Sequence, residues 1–297
     1  RQNHWMFISS TGALSAGRKD SDAALFPYYT DDKISDSFET TGSKSIFLVE
    51  KNGQTFLWEP FSLRQASLYK ISQNLYKNAF GNKVIFEEIN HDLEIRFTYE
   101  WNSTDRYGFV RKSSLYNTAN SAVKVQFIDG IQNVLPYGVE EALQNGTSNL
   151  VDAYKRTELV EGSSLAIFAL SAIIVDKAEP SEALKSNVAW SIGLENPTIL
   201  LSSLQLDAFR RGQEVSQETD IKAEKGAYFL QSEVALESNG SKEWLLVADV
   251  NQTISDVITI KSQILTNPDL KSTILSDVEL GSEQLTELVA ASDGLQK

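Results

Sequence analysis

Two stretches of this 297-residue chain gather the side chains that hold polar solutes. The first runs from residue 9 (SSTGALSAGRKD) into residues 24–33 (ALFPYYTDDK). Glycine and small residues let backbone approach a ligand closely. Arg18, Lys19, Asp20, Asp31, Asp32 and Lys33 offer charged hydrogen bonds, while Tyr28 and Tyr29 offer flat faces with polar tips. Saccharides and phosphate are held by such mixtures, so residues 11–33 are expected to form a ligand-facing loop; an ordered loop whose tyrosines pack on a sheet edge is the structural alternative. The second stretch, residues 101–111 (WNSTDRYGFVR), offers Arg106 and Arg111 beside Asp105, a pattern that equally fits a structural ion pair.

No catalytic residue is assigned. There is no GxSxG elbow, Walker loop, GxGxxG turn, HExxH or EF-hand loop. No cofactor or metal is expected, and the only histidines are His4 and His91. The carboxylate doublets Asp31–Asp32, Glu87–Glu88 and Glu140–Glu141 are adjacent in sequence. On a strand such neighbours point to opposite faces, which spoils them as an acid and base flanking one glycosidic bond. The tryptophans (Trp5, Trp58, Trp101, Trp190 and Trp244) are the right type to stack on sugar rings, but most are assigned to the core.

These residues need a scaffold, and alternation supplies one. In residues 93–100 (LEIRFTYE) the apolar side chains share one face, and residues 123–127 repeat the pattern. Asn52–Gly53 and Asn239–Gly240 each sit between two strand-like runs and suit the positive φ angles of a tight hairpin. Further strands are expected at 84–88, 108–115, 165–175 and 188–194. The spacing favours packed antiparallel sheets over a parallel βαβ design. Helices are expected late: one after Pro197, ending near Arg210; one carrying Ile254, Val257, Ile258, Ile264 and Leu265 up to Asn267–Pro268; and one over 283–291 capped by Ser282. The last either docks back on the sandwich or begins something further along.

Composition bounds the function classes. Forty acidic against 27 basic residues, a net charge of -13, oppose unspecific binding to nucleic acid or anionic lipid. No apolar run approaches the roughly 20 residues that span a bilayer. With no cysteine, disulfides and thiolate chemistry are excluded.

The glycine-rich start (residues 10–18), the hairpin ending FLWEP (56–60), VIFEEINHDLEIRF (84–97), FVRKSSLYN (109–117), FIDGIQNVLP (127–136) and LLVADV (245–250) resemble the N-terminal β-supersandwich of cellobiose-phosphorylase-like proteins, glycosyltransferase family 36. The resemblance implies a mainly β, galactose-mutarotase-like supersandwich over residues 1–250. It also implies a helical linker over 251–297 leading towards an (α/α)-barrel catalytic domain. It further implies a non-catalytic, carbohydrate-associated role beside a glycoside phosphorylase or hydrolase, with residues 11–33 bordering the barrel or a second subunit of a homodimer, and a cytoplasmic setting. A free-standing mutarotase, with His4 or His91 as base, and a plain carbohydrate-binding module with an exposed Tyr28–Tyr29 pair are the alternatives.

Overall fold

The computed structural model describes residues 3–172 and 185–293. In chain order, β1 (His4–Ile8), β2 (Leu14–Arg18) and β3 (Ala24–Phe26) precede helix α1 (Asp31–Asp36). Seven strands follow: β4 (Gly42–Lys51), β5 (Gln54–Trp58), β6 (Ile71–Lys77), β7 (Val84–Asn90), β8 (Ile95–Thr104), β9 (Gly108–Asn117) and β10 (Val123–Val134). Helix α2 (Glu141–Asp152) leads to β11 (Lys155–Leu159), β12 (Ala166–Leu170), β13 (Lys185–Ile192), β14 (Thr198–Leu200) and the short α3 (Leu206–Arg210). The chain then forms β15 (Asp220–Lys222), β16 (Gly226–Leu236), β17 (Ser241–Thr253), α4 (Ile254–Thr266) and α5 (Leu270–Asp293).

The architecture is the expected antiparallel sandwich. A nine-stranded sheet, β15-β11-β12-β13-β17-β9-β8-β7-β6, faces a five-stranded sheet, β14-β16-β10-β4-β5, and a small β1-β2-β3 sheet lies beside them. Alternation builds the layer between the large sheets: Ile95, Phe97, Tyr99 and Trp101 from β8 meet Phe47 from β4 and Phe127 from β10. Trp58, Trp101, Trp190 and Trp244 are buried, as assigned, and Trp5 is half-buried. The outer face of the nine-stranded sheet is covered as well. Val110, Val188, Trp190, Leu245 and Val247 pack under Leu270, Ile274 and Val278 of α5 and the half-buried Val257, Ile260 and Ile264 of α4. Burial on both faces explains why β17 reads as a continuous apolar run rather than an alternating one.

Local signals hold where they coincide with tertiary demands. Asn52 (φ 53°) and Gly53 (φ 73°) turn β4 into β5, and α4 ends at Thr266 ahead of Asn267–Pro268. Other expectations are corrected. Asn239–Gly240 does not close a hairpin, because β16 pairs with β10 and β14 while β17 pairs with β9 and β13 in the opposite sheet. After Pro197 the chain first adds β14 to β16, leaving only Leu206–Arg210 helical. Ser282 caps nothing. It lies inside α5, which begins at Leu270 because Leu270, Ile274 and Val278 anchor it, and its hydroxyl accepts from Asn82 Nδ2 at 3.1 Å. The helix thus docks on the sandwich. Of the strand expected over 165–175, residues 166–170 form β12 and residues 173–175 lie outside the described residues, as do 294–297 of the expected linker.

Residues 11–33 form no open loop. They make β2, β3 and the start of α1, with residues 12–17 and 23–27 buried. Gly17 is required by closeness: a Cβ there would meet Ala23 O and the Trp5 ring, each at 2.5 Å. Among the described residues no helix is long and apolar enough to cross a membrane.

Candidate functional site at the sandwich rim

The two candidate stretches converge through a residue that neither contains. Arg18, at the end of β2, places one guanidinium nitrogen 3.1 and 2.8 Å from the carboxylate oxygens of Asp249 on β17, and its Nε donates to Asn3 Oδ1 at 2.9 Å. Gly108, the first residue of β9, sits against the same carboxyl. At φ 78°, a Cβ there would lie 2.5 Å from Asp249 Cγ and 2.6 Å from Ala248 O. Burial pushes the Asp249 carboxyl above its usual range, with Arg18 pulling against it. An acid committed to this clamp is not free for proton transfer.

His4 on β1 meets Phe109 edge-on at 4.9 Å. Burial first, and the nearby Arg18 charge second, lower its imidazole to about 3, so the ring is neutral at physiological pH. Neither ring nitrogen has a hydrogen-bond partner. His4 lines a cleft of about 340 Å³ together with Trp5, Trp101, Asn102, Phe109 and Leu285 of α5. Trp101 Nε1 and Asn102 Oδ1 are also buried and unpartnered, although Asn102 Nδ2 donates to Glu100 at 2.9 Å. The Trp5 indole N–H is already committed to the Asp20 carbonyl at 3.1 Å, so Trp5 presents its ring alone. Buried polar atoms are almost always satisfied. Here one cleft combines aromatic rings, two acceptor-capable groups and an indole donor.

The remaining candidates are dispersed. Tyr28 packs edge-on against Trp5 at 5.4 Å. Lys19 is exposed and lies 3.7 Å from Asp20. Asp31, Asp32 and Lys33 form the exposed first turn of α1, where carboxylates suit the helix dipole; a hydroxyl bond from Thr30 holds Asp32 below the usual range. Tyr29 accepts from Gln144 Nε2 at 2.8 Å and, with Lys33 5.7 Å above its ring, lines a separate depression of about 360 Å³ against α2. Both tyrosines are half-buried, so they make no exposed pair. Arg106 is exposed over the Tyr107 ring at 5.2 Å and lines a second, smaller cleft next to Asp249.

Arg111 does not reach the rim. Its side chain is fully buried between the sheets, because β9 points it inward with Phe109 and Leu115. It forks onto Asp129 of β10 at 2.8 and 3.0 Å and also donates to Ser43 and Ser113. Asp129 further accepts from Ser45 and from Trp244 Nε1 at 2.7 Å. The partner of Arg111 is therefore Asp129, across the core, and not Asp105.

The carboxylate doublets behave structurally. Glu88 is buried against Trp58 Nε1 (2.9 Å) and the Phe61 N–H (2.8 Å), while Glu87 on the other face takes Asn74 Nδ2 and the Tyr76 hydroxyl. Glu140 and Glu141 open α2. His91 is exposed in the turn after β7 and shares a 2.7 Å hydrogen bond with the Ser72 hydroxyl. Among the described residues no three His, Asp or Glu side chains gather as metal ligands do. Sequence reasoning missed Asn102, Tyr107 and Asp249. The one local signal was a carboxylate interrupting the apolar run of a central strand.

No protein-family model and no curated protein matches the chain. Solved structures do. A bacterial glucoamylase complexed with acarbose is similar at 12% identity and TM-score 0.49, over 93% of this chain and 34% of that one. A putative kojibiose phosphorylase from human microbiome is similar at 10% identity and TM-score 0.45, over 82% and 28%. A galactose mutarotase-like protein from Lactobacillus casei is similar at 9% identity and TM-score 0.37, over 83% and 100%. The chain thus spans about a third of the glucoamylase and less of the phosphorylase. At these scores the function has to be read from the site itself.

Proposed function

We propose that this chain is a carbohydrate-binding sandwich domain that serves a glycoside phosphorylase or hydrolase without carrying the catalytic acid and base. One observation carries the reading: His4, Trp101 and Asn102, each with a side-chain nitrogen or oxygen buried without a partner, line one cleft with Trp5 and Phe109. Aromatic faces take the C–H side of a saccharide, and directional polar atoms take its hydroxyls. A volume of about 340 Å³ falls in the range of small-ligand sites, roughly 300–1,000 Å³. Around His4 the described groups suit binding rather than proton transfer: Asp249 is clamped by Arg18, and the neutral His4 has no carboxylate hydrogen-bonded to it to orient the ring. In this reading α4 and α5 lie on the path towards the catalytic barrel, and Arg18 with its neighbours borders the site that the two parts share.

The test is calorimetric titration of the 297-residue chain with neutral gluco-oligosaccharides, with the His4→Phe variant alongside. Phe keeps the ring on Phe109 and removes both nitrogens, so affinity is expected to fall about tenfold, the value of one or two hydrogen bonds. Undiminished binding in the variant refutes the assignment. Release of sugar or sugar phosphate by the isolated chain refutes the non-catalytic role.

A further inference from the structure

The edges of the two large sheets are finished unequally. β14 and β15 each end a sheet with only three residues, too short to template another strand. At the other edge of the five-stranded sheet, β5 is covered by the chain that follows it: Gln65 Nε2 and the Tyr69 hydroxyl donate to the Leu57 carbonyl at 2.9 and 2.7 Å, and Gln65 Oε1 accepts from the Glu59 N–H at 2.7 Å. β6, at the matching edge of the nine-stranded sheet, has seven residues, and all but Ser72 are exposed. Among the described residues it pairs with β7 alone. The register runs from Ile71 opposite Asn90 to Lys77 opposite Val84, flanked by the His91 N–H on the Lys70 carbonyl and the Asn78 N–H on the Lys83 carbonyl. Bonded and non-bonded positions alternate along an antiparallel pair. The even-numbered residues therefore bond to β7, and the amides and carbonyls of Ile71, Gln73, Leu75 and Lys77 point away from the sheet.

Side chains say what such an edge would take. Of the fifteen large apolar side chains exposed among the described residues, five (Leu63, Leu68, Ile71, Leu75 and Tyr76) fall within residues 63–77, a concentration that marks an interaction surface. The same segment carries Arg64, Lys70 and Lys77 and no carboxylate, in a chain of net charge -13. Glu87 and Glu88 on β7 are buried and already accept from Asn74, Tyr76 and Gln73, so they do not face a newcomer. Asp92 stands at the Lys70 end, where it accepts the Lys70 N–H at 2.7 Å. A second copy would set these cations against their own counterparts and one acidic chain against another, so the edge suits a partner of opposite charge. We propose that β6 takes up an extended acidic segment of a partner protein as a tenth strand of the sheet. The segment's main chain bonds the outward groups from Ile71 to Lys77, its apolar side chains cover Ile71 and Leu75, and its carboxylates meet Lys70 and Lys77. This surface is separate from the His4 cleft and does not depend on the function proposed above.

The experiment is calorimetry and hydrogen–deuterium exchange of the full chain with a blocked peptide alternating valine and glutamate, its valine–lysine counterpart, and polyglutamate of the same length. Saturable binding of the valine–glutamate peptide is expected, with the other two about tenfold weaker or worse, and with exchange in residues 71–77 slowed about tenfold by the bound peptide. Leu75→Pro removes an outward N–H that bonds nothing within the sheet, so it is expected to weaken the peptide about tenfold while the melting temperature holds. Lys77→Glu keeps the main chain and is expected to narrow the preference for the glutamate peptide over the lysine peptide. That variant alone decides the matter if Leu75→Pro does not fold, and an unchanged preference then overturns the proposal. Absence of saturable binding, polyglutamate binding as tightly as the alternating peptide, affinity undiminished in Leu75→Pro, or slowed exchange away from β6 overturns it too. Dimerisation of the free chain that itself protects residues 71–77 assigns the edge to a second copy and is equally fatal.

Discussion

Residues 101–111 feed two buried polar regions that treat hydrogen bonds in opposite ways. In the core, Arg111 and Asp129 bridge the two sheets, and Ser43, Ser45, Ser113 and Trp244 complete their donors and acceptors. At the rim, on β1, β8 and the turn before β9, His4, Trp101, Asn102 and Tyr107 contribute five of the eleven buried side-chain atoms without a partner among the described residues. Burial alone does not separate the regions, since Trp101 and Asn102 are 2% and 4% exposed. What separates them is surroundings: the core cluster is completed by protein groups, whereas the residues that carry the unpartnered atoms belong to the walls of clefts. A polar group sealed inside must be satisfied by the chain, and one on a cleft wall can be satisfied by a solute.

The largest way to break this contrast is to open the closed cluster. Asp129→Ala leaves the Arg111 guanidinium buried without its counter-ion, and urea denaturation is expected to reveal a loss of about 3–5 kcal/mol. Replacing both with apolar residues, Arg111→Met with Asp129→Leu, is expected to recover most of that loss; a double variant as unstable as the single one would contradict the account. The next effect tests how tightly the rim is built. Gly108→Ala puts a side chain at φ 78° and against Asp249, so a loss of about 2 kcal/mol together with a disturbed Arg18–Asp249 clamp is expected, read from denaturation and from arginine side-chain NMR signals.

The smallest effect is a pH dependence at the rim. His4 binds a proton near 6.5 when unfolded and at about 3 when folded. Between those values the unfolded chain holds the extra proton, so stability rises with pH across this window and the contribution is constant above it. Acidifying from pH 7 to 5.5 is expected to remove roughly 1 kcal/mol through this residue. Thermal melts of His4→Phe should lack that component, and identical slopes in both proteins would contradict the burial of a neutral imidazole.

The contrast also marks how far the sequence could be read. Period-two alternation located β8 and the start of β10, and Asn52–Gly53 located the β4–β5 hairpin, because these signals are local and agree with the pairing. The same dipeptide type at Asn239–Gly240 misled, since turn chemistry states that a chain bends and not which sheet receives it. The buried strand β2 (LSAGR) looked like a loop, because small residues chosen for closeness have a loop's composition. For the site, Arg18 and Arg106 were legible as charged groups beside glycine and aromatic residues. Arg111 was not separable from them until strand direction turned it inward. The joining role of Asp249 and the isolation of Tyr107 depend on contacts between distant parts of the chain that no spacing encodes.

The passage from β16 to β17 has a mechanical meaning. Only residues 237–240 separate strands belonging to opposite layers, and Asn117 Nδ2 donates to the carbonyls of Leu236 and Glu237 at that crossing. The layers are therefore stapled at this end by the polypeptide itself. Asp249 lies eight residues further along β17 than Ser241, roughly 25 Å away in an extended strand. The far end of β17, around Asp249, is tied to the other layer by a side chain instead: Asn187 Nδ2 on β13 donates to the Leu135 carbonyl just past β10 at 2.7 Å, and Asn187 Oδ1 accepts from the Asn251 N–H.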